Sequence, residues 1–591
     1  MTTEALFAHS STTTARSQSR AAFWSGLLLA LAFGLALGLW ISLPLFSGRG
    51  FVPDDARAFV FWMSRWSDPG LFPNDPIADY FQAVSPRIFT LIYRIGFEAG
   101  LTPVEVNRLL PLILTAAATI FLYLLTFQIW PSPVAAVLTT AFVNLQLWMK
   151  DDLTSGTPRA FFVPLTAMFL YGLVTRNAAL AALAAALMAG IYPAALLVAL
   201  ASTVIWMAAI LWRQRPDRQD WTVALSALLA GGAALVPFAL AINEWGPAVS
   251  AEIARSWPEF QAWGRTRFFS EDLWVYWICS PRSGLEPVEW CRYLNEEETR
   301  ASFEIGSLLL LATTLTVPFV IPLLRGQRQR SDIRQNALLP AFLLGSLACY
   351  ALAHALLFEL HLPSRYIQHS LRMVAGIGFG ISVAAIIAAC AGGPAPEPRH
   401  RRMVILALPF AVFLPLAILT APLFGKDVLF NVKYRSPEPQ ELYDYIALQP
   451  RDVVIASDTR QADDIPLRTG RSVLFSHKHS IPYHPNYYEP MRDAIIAFLR
   501  ALYAPDLKQM QHFVAGHRVS HLILHRAAFT PAYIRSIWWS RQFPDEAERA
   551  IRALDRGLPA VARQAGRCVR ASYGELLVIG AQCLLRLDRE D

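Results

Sequence analysis

The chain has 591 residues, of which 54% are hydrophobic and only 16% charged. A soluble domain carries roughly 25% charged residues, so this composition excludes a wholly soluble globular protein and points to the bilayer. The net charge of +7 gives no reason to expect a nucleic-acid partner, because the basic excess follows a few short connectors between apolar runs.

In chain order, residues 1–21 are polar and Ser/Thr-rich and carry Arg16 and Arg20. The run AAFWSGLLLALAFGLALGLWISLPLF that follows is longer than a secretory h-region and lacks a small-x-small cleavage site, so it reads as an uncleaved first span. Long apolar runs then alternate with short polar ones to about Gly425. At about 20 apolar residues per crossing, the pattern predicts eleven transmembrane helices. They fall at 22–45, 106–128, 133–149, 159–175, 178–192, 194–212, 221–242, 303–324, 337–358, 369–391 and 403–424. The basic connectors RQRPDRQ (213–219), RGQRQRSDIRQ (325–335) and EPRHRR (397–402) then share one side with Arg16 and Arg20. The positive-inside rule makes that side cytoplasmic. The N-terminus is therefore expected in the cytoplasm of a multi-pass inner or plasma membrane protein. The loops 46–105 and 243–302 are external, as is everything after the membrane region 22–424.

Segment 425–591 has ordinary polarity and the size of one domain. DVVIASD (452–458), SVLFSHK (472–478) and VSHLILH (519–525) read as short buried strands. EPMRDAIIAFLRALYAP and DLKQMQHFVAGHR carry apolar residues at helical spacing. The alternation predicts an extracytoplasmic (periplasmic) α/β domain. Of the six cysteines, Cys349 and Cys390 fall within spans and read as small buried hydrophobes. Cys279, Cys291, Cys568 and Cys583 are all external, and CVRASYGELLVIGAQC reads as two strands around a Tyr-Gly turn. Pairs Cys279–Cys291 and Cys568–Cys583 are expected in an oxidising compartment; the alternative is four unrelated thiols. There is no GxGxxG, no P-loop, no CxxC and no internal repeat.

Four polar constellations are candidates for chemistry. The first external loop carries the adjacent pair Asp54 and Asp55, with Asp68, Asp75 and Asp79 beyond. Neighbouring carboxylates near the bilayer serve as a general base, since like charge and burial raise one pKa, or hold a divalent cation on hard oxygens. A helix start capped by Asp54 is the competing reading. In MKDDLTSGTPRAFFVPL, Asp151 and Asp152 lie in a tiny external loop with Arg159 just behind. Charges so close to hydrocarbon tend to be functional, against a solvated loop with a snorkelling Arg159. In HALLFELHLPSRYIQHSLRM, Arg365, His369 and Arg372 share a helical face beside Glu359 and His361. Such a face suits a phosphate, or is an interfacial belt without a ligand. SHKHSIPYHPNYYEP carries His477, His479 and His484. No further ligand stands at a familiar zinc spacing, so a loop touching a polar substrate is the preferred reading.

Taken together, these features resemble the GT-C class of membrane glycosyltransferases, which includes dolichyl-phosphate-mannose-protein mannosyltransferase-like enzymes. The shared features are many spans, an acidic motif in the first external loop, a second acidic site in another, and often an external C-terminal domain. The resemblance implies transfer of a sugar from a polyprenyl-phosphate-linked donor to an acceptor on the extracytoplasmic face. It places Asp54 and Asp55 at the first acidic motif and Asp151 and Asp152 at the second. Arg365, His369, Arg372 or Arg159 would bind the donor phosphate. Some members need a divalent metal ion and others do not; Asp54, Asp55 and Asp151 would be the residues to hold one here. No acceptor-binding signature is recognisable, so sugar and acceptor stay open. A transporter predicts charges near mid-membrane and internal pseudo-symmetry; the charges here gather at external loop edges. A non-catalytic scaffold of the same fold is the remaining alternative.

Overall fold

The computed structural model describes residues 13–47, 50–149, 151–239, 244–291, 300–324, 332–390, 434–435 and 438–587. Among them, six helices are long and apolar enough to cross a membrane: Arg20–Phe46, Pro103–Ile129, Pro193–Arg213, Arg218–Val236, Ile333–Ala355 and Ser364–Ala388. Four shorter apolar helices, Pro133–Trp148, Pro158–Val174, Ala178–Ile191 and Leu308–Pro322, fall on the other spans expected before residue 400. The eleventh expected span, 403–424, lies outside the described residues, as do the connector 397–402, most of 325–335 and the side chain of Cys390.

Local chemistry sets the helix starts. Thr102 and Glu105 form a reciprocal capping box ahead of Pro103, satisfying backbone donors that the first turn leaves free. Ser132 caps the helix that opens with Pro133. Small residues let helices close on one another: a Cβ on Gly380 would stand 2.2 Å from Thr139 Oγ1 and 2.4 Å from the Ala135 carbonyl.

The segment between the first two long apolar helices is largely folded. Asp75 caps the helix Pro76–Ala83 by accepting from the backbone N–H groups of Ile77 and Ala78. A second amphipathic helix, Arg87–Glu98, buries Phe89 and Tyr93. Asp54 and Asp55 precede a single helical turn, Ala56–Phe59, yet Asp55 makes no side-chain cap there. Its carboxylate is used elsewhere. Ahead of this turn, Val52–Pro53 pairs antiparallel with Tyr434–Arg435, tying the loop to the start of the tail.

The tail holds a mixed five-stranded sheet. We number its strands β1 (Val454–Ser457), β2 (Ser472–Val473), β3 (His521–His525), β4 (Val569–Tyr573) and β5 (Leu576–Gly580). Their spatial order is β2-β1-β3-β5-β4. The first three are parallel, and the β4–β5 hairpin adds antiparallel to β3. Gly574 takes φ +56° in the hairpin turn, a left-handed conformation that suits glycine. The helices Pro485–Leu502 and Lys508–Gly516 connect β2 to β3. Disulfides join Cys279 to Cys291 and Cys568 to Cys583. Cys349 is a buried free thiol.

Candidate active site

In parallel α/β sheets, ligands gather at the carboxyl ends of the strands. Here the segments that leave β1, β2 and β3 contribute Thr459, Lys478 and Tyr533 to a cavity of about 2290 Å³ that also holds Asp54, Asp55 and Asp151. One wall of this cavity is charged. Another is apolar, built from Ala186, Ala189 and Ile191 on one helix, Leu197 on the next and Leu235 on a third.

Asp54, Asp55 and Asp151 bring carboxylate oxygens within 4.8 Å of one another, so the two acidic loops do converge. The pairing around them is dense. Lys478 Nζ donates to Asp54 Oδ2 at 2.7 Å and to Asp55 Oδ1 at 2.6 Å. Arg57 pairs with the other oxygen of Asp54 and reaches Asp464 Oδ2 at 2.8 Å. Arg159 Nη2 donates to Asp55 Oδ2 at 3.0 Å, and its Nε lies 2.6 Å from Asp152 Oδ1. Burial alone would raise both carboxyls of the pair. Lys478 and Arg57 nonetheless hold Asp54 well below the usual carboxylate range, and Lys478 and Arg159 do the same for Asp55. This corrects the expectation that like charge raises one of them: the nearest charges in space are cations.

The second acidic loop is shaped from beneath. Asn107 Nδ2 donates to the Ser155 carbonyl at 2.8 Å, and the Tyr93 hydroxyl donates to the Gly156 carbonyl at 2.9 Å. Gly156 sits at φ +59°, and a Cβ there would meet Asn107 Nδ2 at 2.7 Å. Asp151 faces the cavity while Asp152 is buried behind it.

The basic helix face divides in two. Arg365 is 7% exposed, lines the cavity with His361 and Arg282, and has no carboxylate within ion-pair distance among the described residues. Arg372 lies deeper and is 1% exposed. It pairs with both oxygens of Glu289 and stands 3.4 Å from Asp152 Oδ2. His369 stacks on Phe162, with Nδ1 3.0 Å from Arg372 Nη1, and neither it nor Arg372 lines the cavity. Arg282, which the sequence reading did not single out, sits in the loop closed by Cys279 and Cys291. Gln368 Nε2 clamps that loop by donating to the carbonyls of Ser280, Gly284 and Glu286, and the Arg282 carbonyl accepts from Ser364 N. Burial, with Arg365 and Arg282 beside it, lowers His361 to about 3, so this imidazole is neutral.

The three tail histidines do not converge. His477 meets the Trp538 ring at 5.1 Å, His479 is buried between Phe61 and Phe81, and His484 Nδ1 bonds the Tyr80 hydroxyl at 2.9 Å. His477 and His484 reach the cavity.

No family model matches the sequence, and no curated protein matches it. Solved structures do. The chain superposes on the archaeal oligosaccharyltransferase AglB of Archaeoglobus fulgidus, solved with an inhibitory peptide and a dolichol-phosphate, with TM-score 0.52 and 13% identity over 90% of this chain and 72% of that one. The apo form of the Archaeoglobus fulgidus enzyme matches with TM-score 0.49 and 10% identity, over 87% and 70%. The arabinofuranosyltransferase AftD from Mycobacteria matches with TM-score 0.48 and 16% identity, over 84% of this chain and 35% of that one. At these identities a likeness speaks for the fold, and the AglB superposition carries it: the chain is a polytopic membrane protein with the fold of the GT-C membrane glycosyltransferases.

Proposed function

We propose that this chain transfers a sugar from a polyprenyl-phosphate-linked donor to an acceptor hydroxyl on the extracytoplasmic face of the membrane. One observation carries the reading. A single cavity presents a carboxylate cluster, a guanidinium with no carboxylate partner among the described residues and an apolar wall between helices, the three surfaces that a lipid-phosphate sugar and its acceptor require. The dolichol-phosphate held by AglB supports a donor of this class.

In this reading the lipid tail lies along Ala186, Ala189 and Leu197, and the donor phosphate meets Arg365 and Arg282. Planar guanidinium groups bind phosphate oxygens bidentately. The acceptor hydroxyl donates to Asp55 or Asp54, which aims its oxygen at the anomeric carbon. A new carbon–oxygen bond forms as the bond from that carbon to the phosphate oxygen breaks, and the departing phosphate keeps the electron pair. Arg365 stabilises the charge that grows there. The acceptor proton passes to the departing phosphate after attack, because a carboxylate held so far below its ordinary range orients a hydroxyl better than it strips one.

Purified protein supplied with a labelled polyprenyl-phosphate sugar and a membrane acceptor fraction tests this. Release of free polyprenyl phosphate by the wild type, abolished in Asp55→Asn, is the expected result. Movement of intact donor across vesicles without cleavage would instead identify a transporter.

A further inference from the structure

Three carboxylates within reach of one another suggest a divalent-cation site, but the oxygens of the Asp54–Asp55 pair are already engaged. Asp54 Oδ2 and Asp55 Oδ1 accept from Lys478, Asp54 Oδ1 accepts from Arg57, and Asp55 Oδ2 accepts from Arg159. A divalent ion coordinates hard oxygens at roughly 2.0–2.6 Å, and here it would share every oxygen of the pair with a protein cation. The residues present do not fit a metal on this pair as the site stands.

We infer that Lys478, delivered by the C-terminal segment, is the resident cation of the Asp54–Asp55 pair and takes the place of a divalent metal ion. Its placement is built. The Lys478 backbone N–H donates to Asp463 Oδ1 at 2.7 Å. The carbonyls of His477 and Lys478 accept from Arg265 at 2.6 and 3.2 Å. The side chain is 7% exposed and spans from the loop after β2 to the first external loop of the membrane region. A backbone fixed on both sides aims the ammonium between the two carboxylates, where charge-assisted bonds of this length are among the strongest a lysine makes.

The catalytic meaning of this inference rests on the transferase reading, but its ion test does not need turnover. Full-length protein in detergent is titrated with Mn²⁺ to about 1 mM, the weak end of extracellular divalent-cation sites, and free Mn²⁺ is read by electron paramagnetic resonance. Wild type is expected to leave Mn²⁺ free. Lys478→Met, checked by its thermal transition, should take up one equivalent, and Lys478→Met with Asp54→Asn should lose it again. Wild-type binding that Asp54→Asn removes would overturn the inference, and that arm decides the matter even where the lysine variant fails to fold. A folded Lys478→Met that binds no Mn²⁺ would overturn it too. In the release assay, an unchanged rate after chelation supports it and an abolished rate refutes it. Absence of transfer under all conditions sinks the transferase reading alone, since the Mn²⁺ arms still report on Lys478.

Discussion

Asp458 ends the strand β1 with its carboxyl fully enclosed. Its Oδ2 accepts from the Tyr533 hydroxyl at 3.3 Å. Burial raises it from 3.8 to about 7, and hydrogen bonds from Tyr533, its own backbone and Trp539 offset only part of that penalty. A rise of about three units at 1.36 kcal/mol each comes to roughly 4 kcal/mol. The sign follows from linkage. Below the unfolded pKa both states are protonated and this contribution to stability is fully present. As pH climbs toward 7 the unfolded chain ionises first, and stability is lost until the folded carboxyl ionises as well. Asp458→Asn keeps an acceptor for Tyr533 and cannot ionise. The variant is therefore expected to match wild type near pH 4 and to be more stable by up to about 4 kcal/mol near pH 8. Thermal unfolding of the full-length chain, followed by tryptophan fluorescence from the neighbouring Trp538 and Trp539, measures the gap. A gap that stays constant with pH, or widens toward acid, refutes the reasoning.

Four further outcomes are expected. Arg365→Met removes a charge-assisted contact of about 1.5–3 kcal/mol, so polyprenyl phosphate should bind roughly 10- to 150-fold more weakly; unchanged inhibition by that lipid would exclude Arg365 from the phosphate site. Asp54→Asn, Asp55→Asn and Asp151→Asn should each lower transfer by about 10²-fold or more with expression intact, and full activity in all three would remove the carboxylate cluster from the mechanism. Because Asp54 and Asp55 are held ionised, kcat/KM should show no acidic limb from them down to about pH 5; a limb that vanishes in Asp55→Asn contradicts this. Reduction, or Cys568→Ser, opens a loop of 15 residues and should cost about 3 kcal/mol, read as a lower Tm.

Much of the membrane architecture was legible because its signal is local. Runs of apolar residues bounded by Thr102-Pro103 or Ser132-Pro133 give their helices away wherever the chain lies in space. The β4–β5 hairpin was legible for the same reason, its Tyr-Gly turn standing between the alternating strand VRASY and the apolar strand LLVIG. The site was only half legible. Two acidic pairs marked where charge collects, but Lys478 lies 424 residues from Asp54, and no local pattern announces such a partner. The misjudged pKa direction follows directly: the neighbour in sequence is another carboxylate, the neighbours in space are cations. Helical spacing also misled at Arg372. Seven residues return to the same face, but they advance about 10 Å along the axis. That rise carries Arg372 from the cavity wall, where Arg365 stands, down to Glu289.

The ion pairs around Asp54 and Asp55 do two jobs that cannot be separated. Arg57 bridges Asp54 and Asp464, and Lys478 bridges Asp54 and Asp55. Each therefore joins the loop after the first apolar helix to the C-terminal segment. Charges this buried are costly to strand, because removing one partner leaves the other desolvated and uncompensated. Release of the tail would take Lys478 from both carboxylates and Asp464 from Arg57, leaving Asp54 paired with Arg57 and Asp55 with Arg159. Lys478 thus both seats the tail and helps set the charge state of the candidate catalytic pair, together with Arg57 and Arg159. Through Lys478, Asp463 and Asp464 the tail is thus part of the candidate active site, which the membrane helices alone leave incomplete.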